Sequence, residues 1–390
     1  MGVSRRSFLV AAGGAAAAIA MPGTAPGPGA SLPGYAGPNV VLVRFGGGVR
    51  RQETIVPGHS YSPYFLHDLV PRGVLFPAMG IDQFQDINTS HGEGTLYLLT
   101  GKYQKFRDVE GRFLGGRFES SVPTLFEYFR AAFAVPEHEA LIVNGEDRTD
   151  EEFYNFSNHH LFGVQYRSAT LSLFRYKAHL LRRQLSEGGL DEKAVLEKSK
   201  LLAQMEGLDY RATKERGQPE AIERFWDGWR AHYGESGLRN ARGDALLTQL
   251  AVRAMEELRP RLLMINYNDP DYVHWGNPAH YYNGISVIDR GMRQIVEASE
   301  RLETYRGNTV FVIVPDCGRD ANRAQAVPFQ HHFNSRSAHE IFALVFGAGI
   351  EAGKRVDRPV DQTSIAATVA GLMGFRAGFA EAAPLEEVFV

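Results

Sequence analysis

TVFVIVPDCGRD, residues 309–320, is the stretch on which the fold turns. Val310 to Val314 are apolar at every position, not at alternate ones, as expected of a strand buried on both faces of a largely parallel sheet. Pro315 cannot continue a hydrogen-bonded ladder. An acid, the single cysteine of the chain, a glycine and an arginine follow. Ligands of open α/β sheets gather beyond the carboxyl ends of the strands. Asp316-Cys317 therefore reads as a metal-binding edge, an altered one, or an ordinary strand end.

Working outward, four more runs have the same character: Asn39–Phe45, Ala140–Asn144, Leu262–Tyr267 and Ile341–Phe346. Helical patterns separate them. Ser121 and Pro123 before an apolar stripe to Phe133 read as a capped helix start. Ile285, Ile288, Met292, Ile295 and Val296 place one long amphipathic helix over Tyr281 to Tyr305, and Asp361 to Met373 predicts another, closed by Gly374. Strands alternating with helices predict an α/β fold with a largely parallel central sheet flanked by helices. Residues from about 150 to 258 are helical in period and dense in charge and aromatics (Phe153, Tyr154, Phe156, Phe225, Trp226, Trp229), and read as a helical insertion whose aromatics form core.

The 390 residues suffice for a large core, and 44% hydrophobic with 22% charged residues is a globular composition. The formal net charge of −3 becomes −5 without Arg5 and Arg6, so no basic face advertises nucleic acid. Ser4-Arg5-Arg6-Ser7-Phe8-Leu9 precedes an apolar Ala/Gly run from Val10 to Met21, too short to span a bilayer and polarised like a signal peptide. Twin arginines followed by Phe-Leu resemble a twin-arginine export signal. Residues 1–30 are thus expected to be a signal, 31–38 a Pro/Gly-rich linker, and 39–390 the folded domain. The expected location is periplasmic or secreted, with the twin-arginine machinery as a partner and no transmembrane segment. A single cysteine excludes an intrachain disulfide.

The chemistry-bearing residues follow the strands. Asp271 and His274 lie in a loop after Leu262–Tyr267, and a carboxylate and an imidazole at that spacing reach one cation. Asp316 and Cys317 follow the next strand. His331-His332 precede the last, with His339 nearer to it; His332 is taken as the ligand for its spacing to that strand. Thr89 or Ser90 caps a helix beginning near His91, where the helix dipole is expected to bind an anion and keep His91 neutral. Arg319 could grip a phosphate or sulfate in a bidentate way or bridge Asp320 or another loop acid. Cys317 could ligate a metal or fill space as a small buried hydrophobe.

FGGGVR (45–50), SHGEGTLYLLTGKY (90–103), DYVHWGNPAHYYNGISVID (271–289), PDCGRD (315–320), His-His before VFGAGI (345–350) and DQTSIAATVAGLMGF (361–375) occur in an order that resembles the alkaline phosphatase and sulfatase superfamily. The resemblance implies its α/β fold and a metal-dependent hydrolase of phosphate or sulfate esters. Asp271, His274 and His332 match three of its ligand positions. The departures are informative. The first metal-binding Asp of the superfamily falls at Gly47, the nucleophile position at His91, and the His of its Asp-His-Gly loop at Cys317. Such replacements also resemble a branch of twin-arginine-exported bacterial proteins. The expected site is a modified divalent-metal centre of one or two ions, zinc by its donors: Asp271, His274, Asp316, Cys317 and His332. His91 and Arg319 are the catalytic candidates, and Arg319 and Ser90 would touch a small anionic substrate. The rival is a non-catalytic descendant that binds a ligand or partner. A thiol protein using Cys317 is disfavoured by the lack of Cys-x-x-Cys.

Overall fold

The computed structural model describes residues 32–82, 87, 89–103, 107–108, 118–145, 154–208, 219–234, 243–321, 329–331 and 335–389. The signal-like segment 1–30, Phe153 and His332 lie outside the described residues.

All five expected strands are present: β1 (Asn39–Arg44), β3 (Ala140–Asn144), β5 (Leu262–Asn266), β6 (Thr309–Val314) and β7 (Glu340–Gly347). Four shorter or interrupted ones join them: β2 (Gly73–Gly80), β4 (Ala169–Leu171), β8 (Lys354–Arg355) and β9 (Val360–Asp361). The sheet order is β8-β2-β7-β6-β1-β5-β3-β4, with β9 beside β2. β1 is central, parallel to β5 and β6 and buried at every position. β7 runs antiparallel to both β6 and β2. The reason lies in the connections. From β5 to β6 the chain crosses over through a 24-residue helix, Pro278–Arg301, which restores direction. Among the described residues between Pro315 and His339 there is one short helical turn, Arg336–His339, and the chain re-enters the sheet from the edge it left.

Alternate strand residues face two cores. Val41, Val43, Leu263, Ile265 and Ile313 pack with Leu250 of α6 (Asp244–Glu257), with Ile285 and Ile288 of α7 (Pro278–Arg301), and with Trp226 and Trp229 of α5 (Glu220–Tyr233). Val40, Leu42, Met264, Val312 and Val314 pack with Leu96 and Leu99 of α1 (His91–Thr100), Phe126 and Phe129 of α2 (Leu125–Ala132), and Ile365 and Val369 of α8 (Ser364–Leu372). Helices therefore cover both faces of a mostly parallel sheet, as anticipated.

Within residues 150–258 the structure has α3 (Leu173–Glu187), α4 (Glu192–Leu208), α5 and α6, and Trp226 and Trp229 are buried as core. The stretch read as a helical insertion also contributes β4, which pairs in parallel with β3. Helix α2 starts at Thr124, not near Ser121: the Glu127 carboxylate accepts the Thr124 N–H at 2.7 Å and fixes the first turn there. Among the described residues no helix is long and apolar enough to cross a membrane.

Candidate metal centre

The carboxyl ends of β1, β5 and β6, and the start of the reversed β7, share one edge of the sheet. Just beyond β5, a 3-10 turn (Asp269–Trp275) has Pro270 in its first turn and ends at Gly276 in the left-handed region; it carries Asp271 and His274. The β6–β7 connection carries Asp316, Cys317, Arg319 and His331. Helix α1 brings His91, its first residue, from the opposite layer. Ser90 is the N-cap: its hydroxyl accepts the Glu93 N–H at 3.2 Å and donates to the Glu93 carboxylate at 2.9 Å, so it serves the cap. Gly94 permits the approach, because a Cβ there would meet the Asp316 carbonyl oxygen at 2.2 Å.

Asp271, His274, Asp316, Cys317 and His91 are brought together. His331 joins them, while His332, the expected ligand, lies outside the described residues; His339 lies elsewhere, its Nδ1 on the Ile81 carbonyl at 3.1 Å. Asp271 Oδ1 is 2.8 Å from His91 Nε2, 2.9 Å from His274 Nε2 and 3.8 Å from His331 Nε2. The His274 and His331 Nε2 atoms face each other at 3.0 Å. His331 Nδ1 sits 2.8 Å from the Thr89 carbonyl, which can only accept. The proton of a neutral His331 is therefore on Nδ1, and Nε2 presents a lone pair to the cluster.

His91 lies between two acids, with Nδ1 2.7 Å from Asp316 and Nε2 2.8 Å from Asp271. Burial works to lower its pKa, but the two carboxylates outweigh burial and raise it well above the ordinary histidine value. The helix dipole, expected to keep His91 neutral, is thus opposed by two carboxylates that favour a ring donating on both sides. Burial would raise the Asp271 pKa, yet His91, His274 and Arg319 hold it far below the usual carboxylate range. Asp316 is likewise lowered, burial being overcome by His91 and Arg44. Burial and then Asp316 push the Cys317 thiol up, and its side chain packs in the apolar core.

Arg319 is completely buried and pairs with Asp271, not Asp320. Nε donates to the Gly47 and Gly48 carbonyls at 2.9 Å, Nη1 to the Phe329 carbonyl at 2.6 Å, and Nη2 to Gly47 and Asp271. Phe329 holds a φ of 56°, uncommon for a bulky residue, with its ring stacked on Tyr281 at 4.8 Å and under the Arg50 guanidinium at 4.5 Å. A cavity of about 600 Å³ beside it is lined by Arg50, Glu53, Tyr61, Tyr282, Asp320 and Phe329.

Sequence reasoning missed Arg44. This buried residue at the end of β1 places Nη1 2.6 Å from Thr95 Oγ1 and 3.5 Å from Asp316 Oδ2. Its signal was present: a lone arginine inside an otherwise apolar run, VVLVRF.

No family model and no curated protein matches the chain. Solved structures do. A protein in the alkaline phosphatase superfamily from Vibrio parahaemolyticus superposes with a TM-score of 0.54 at 14% identity, over 92% of this chain and 73% of that one. The alkaline phosphatase PafA gives 0.52 at 11% identity, over 91% and 99%. A substituted form of PafA gives 0.53 with the same identity and coverage. At such identities the likeness is one of architecture: the chain is built on the alkaline phosphatase fold.

Proposed function

We propose that the protein is an exported, metal-dependent hydrolase of phosphate or sulfate esters with a modified metal site. The observation that carries this reading is the convergence of Asp271, His274 and His331, with His91, at the carboxyl edge of the sheet. Their donor atoms lie within 4.8 Å of one another, and His331 is oriented by a backbone carbonyl in the way metal-bound imidazoles are. Two imidazoles and one carboxylate, with an open position, is the donor set of a catalytic zinc. Asp271, His274 and His331 would hold the ion, which would supply Lewis-acid polarisation of the ester oxygen.

The remaining residues prepare the site. Arg319 orients Asp271 and balances its charge. His91 donates to Asp271 and Asp316 and fixes both carboxylates. The cavity lined by Tyr61, Tyr282 and Phe329 takes the part of a small anionic substrate that leaves. A second reading, a non-catalytic ligand-binding protein, draws on one observation: both ring nitrogens of His91 face carboxylates, so His91 offers no lone pair for attack.

Zinc analysis together with turnover of aryl phosphate and aryl sulfate separates the two. The hydrolase reading expects bound metal and turnover of at least one ester, both lost in His274→Ala. Bound metal without turnover favours the ligand-binding protein, and neither would end the metal reading. Export by the twin-arginine route expects Arg5→Lys with Arg6→Lys to retain precursor in the cytoplasm; normal export of that variant would remove the assignment.

A further inference from the structure

Asp271 and His274 ride on one short turn, so whatever fixes that turn fixes both donors. The first amides of a helical turn have no partner within it. Asn268 stands at the N-cap of this one but makes no cap bond; its Oδ1 accepts instead from Arg44 Nη2 at 3.1 Å. A carboxylate from an earlier element does the capping. Asp244 Oδ1 and Oδ2 accept the Asn268 N–H at 3.0 and 2.9 Å, and Oδ2 also accepts the Asp269 N–H at 2.7 Å. The Asn268 carbonyl in turn accepts the Asp271 N–H at 3.0 Å.

Asp244 is itself firmly held. It is the buried first residue of α6, whose Leu247, Leu250 and Ala251 pack in the core beneath the sheet. Helix α7 closes on the same turn, because a Cβ at Gly284 would meet the Pro270 nitrogen at 2.5 Å. Burial and then the Asp269 carboxylate raise the Asp244 pKa well above the ordinary carboxylate value, against the two amides and Arg44. Acids kept at such a cost are concentrated where they organise a site.

We propose that Asp244 is a positioning residue for the metal centre: by capping the turn from outside, it sets where Asp271 and His274 present their donor atoms. The proposal rests on the metal reading above and extends it to a residue that acts through the backbone of the turn.

The test is the zinc dissociation constant of the full chain, stripped with chelator and titrated at a temperature where circular dichroism shows each variant folded. Asp244→Leu, which removes both acceptors, is expected to weaken zinc binding about tenfold or more. Asp244→Asn, a neutral isostere, is expected to bind as wild type does, because one oxygen at the Oδ2 position reaches both amides. The control is Asp289, also buried, whose carboxylate accepts two successive backbone amides, Tyr64 at 3.1 Å and Phe65 at 2.8 Å, in a segment that carries no donor. Asp289→Leu should lower the melting temperature and leave zinc affinity unchanged, which separates positioning from a general loss of stability. Should Asp244→Leu fail to fold, Asp244→Ser, whose hydroxyl stops one bond short of the amides, carries the same expectation. Unchanged zinc affinity in the folded Leu or Ser variant, a loss in Asp244→Asn equal to that in Asp244→Leu, or equal weakening in Asp289→Leu overturns the proposal. No zinc in the wild type overturns the metal reading beneath it, a distinguishable result.

Discussion

A guanidinium with nothing to pair with is among the costliest groups to bury, so each buried arginine marks a carboxylate or a carbonyl cage. Arg319 has both: three backbone carbonyls and Asp271. Removing it would leave Asp271 beside His91 and His274 without its permanent counter-charge. Arg319→Met is expected to destabilise the fold by about 3–5 kcal/mol. Arg319→Lys should recover only part of this, because one ammonium cannot reproduce the planar fork of donors. Urea unfolding of both variants measures the difference, and a loss below about 1 kcal/mol for Arg319→Met would contradict the pairing. At this scale the sequence was legible in residue type and less so in partner. Asp271, His274, Asp316, Cys317 and His91 were readable because each follows a strand or opens a helix. Arg319 could be assigned to a substrate or to a loop acid, and only the folded loop shows that Asp271 is its acid. His331 and His332 are adjacent in sequence, and no local pattern foretells that the His331 ring turns toward Thr89.

Strand length governed what could be read among the elements. β1, β3, β5, β6 and β7 have five to eight residues each and read as largely apolar runs. β8 and β9 have two residues each, too few for any period. β2 carries Pro77, and its register with β7 shifts between Phe76 and Met79, so its sequence argued against a strand. The direction of β7 depends on the connection before it, which residue pattern does not encode. Helix α2 offers a test at this scale. Glu127 is buried beneath its first turn, where its carboxylate accepts from the Thr124 N–H at 2.7 Å and from the Ser157 hydroxyl and the Gly163 N–H at 2.8 Å. Burial raises its pKa from 4.5 to about 7, against the opposing effect of those donors. The folded state therefore holds the proton to higher pH than the unfolded chain does. Stability from this group is full below about pH 4.5 and falls as pH rises toward 7, by about 3 kcal/mol in all. Glu127→Gln cannot titrate and should flatten that part of the stability–pH curve. An unchanged slope between pH 4.5 and 7 would contradict the shift.

For the whole molecule, the alkaline phosphatase fold explains why residues so distant in sequence meet. Two helical layers bury alternate residues of one sheet, and the strand order puts β1, β5 and β6 side by side, so that their ends form a single edge. The donors Asp271 and His274 come from the β5 end, and His331 comes from the β6–β7 connection, oriented by the Thr89 carbonyl just before α1. None of these segments is near another in an unfolded chain. An ion held by all three binds the native state and not the unfolded ensemble, so its binding energy adds to stability. Zinc at a free concentration one hundred times its dissociation constant should stabilise the fold by about 2.7 kcal/mol, and chelation should remove that increment. For a chain of this size the shift in melting temperature is a few degrees. His274→Ala loses one donor, and its melting temperature should be lower than that of the zinc-loaded wild type and nearly insensitive to zinc. Thermal unfolding of both proteins across a zinc series makes the comparison. Equal zinc dependence in the two would place the ion away from Asp271, His274 and His331, and a wild type indifferent to zinc and chelator would mean that the converged donors hold no zinc at all.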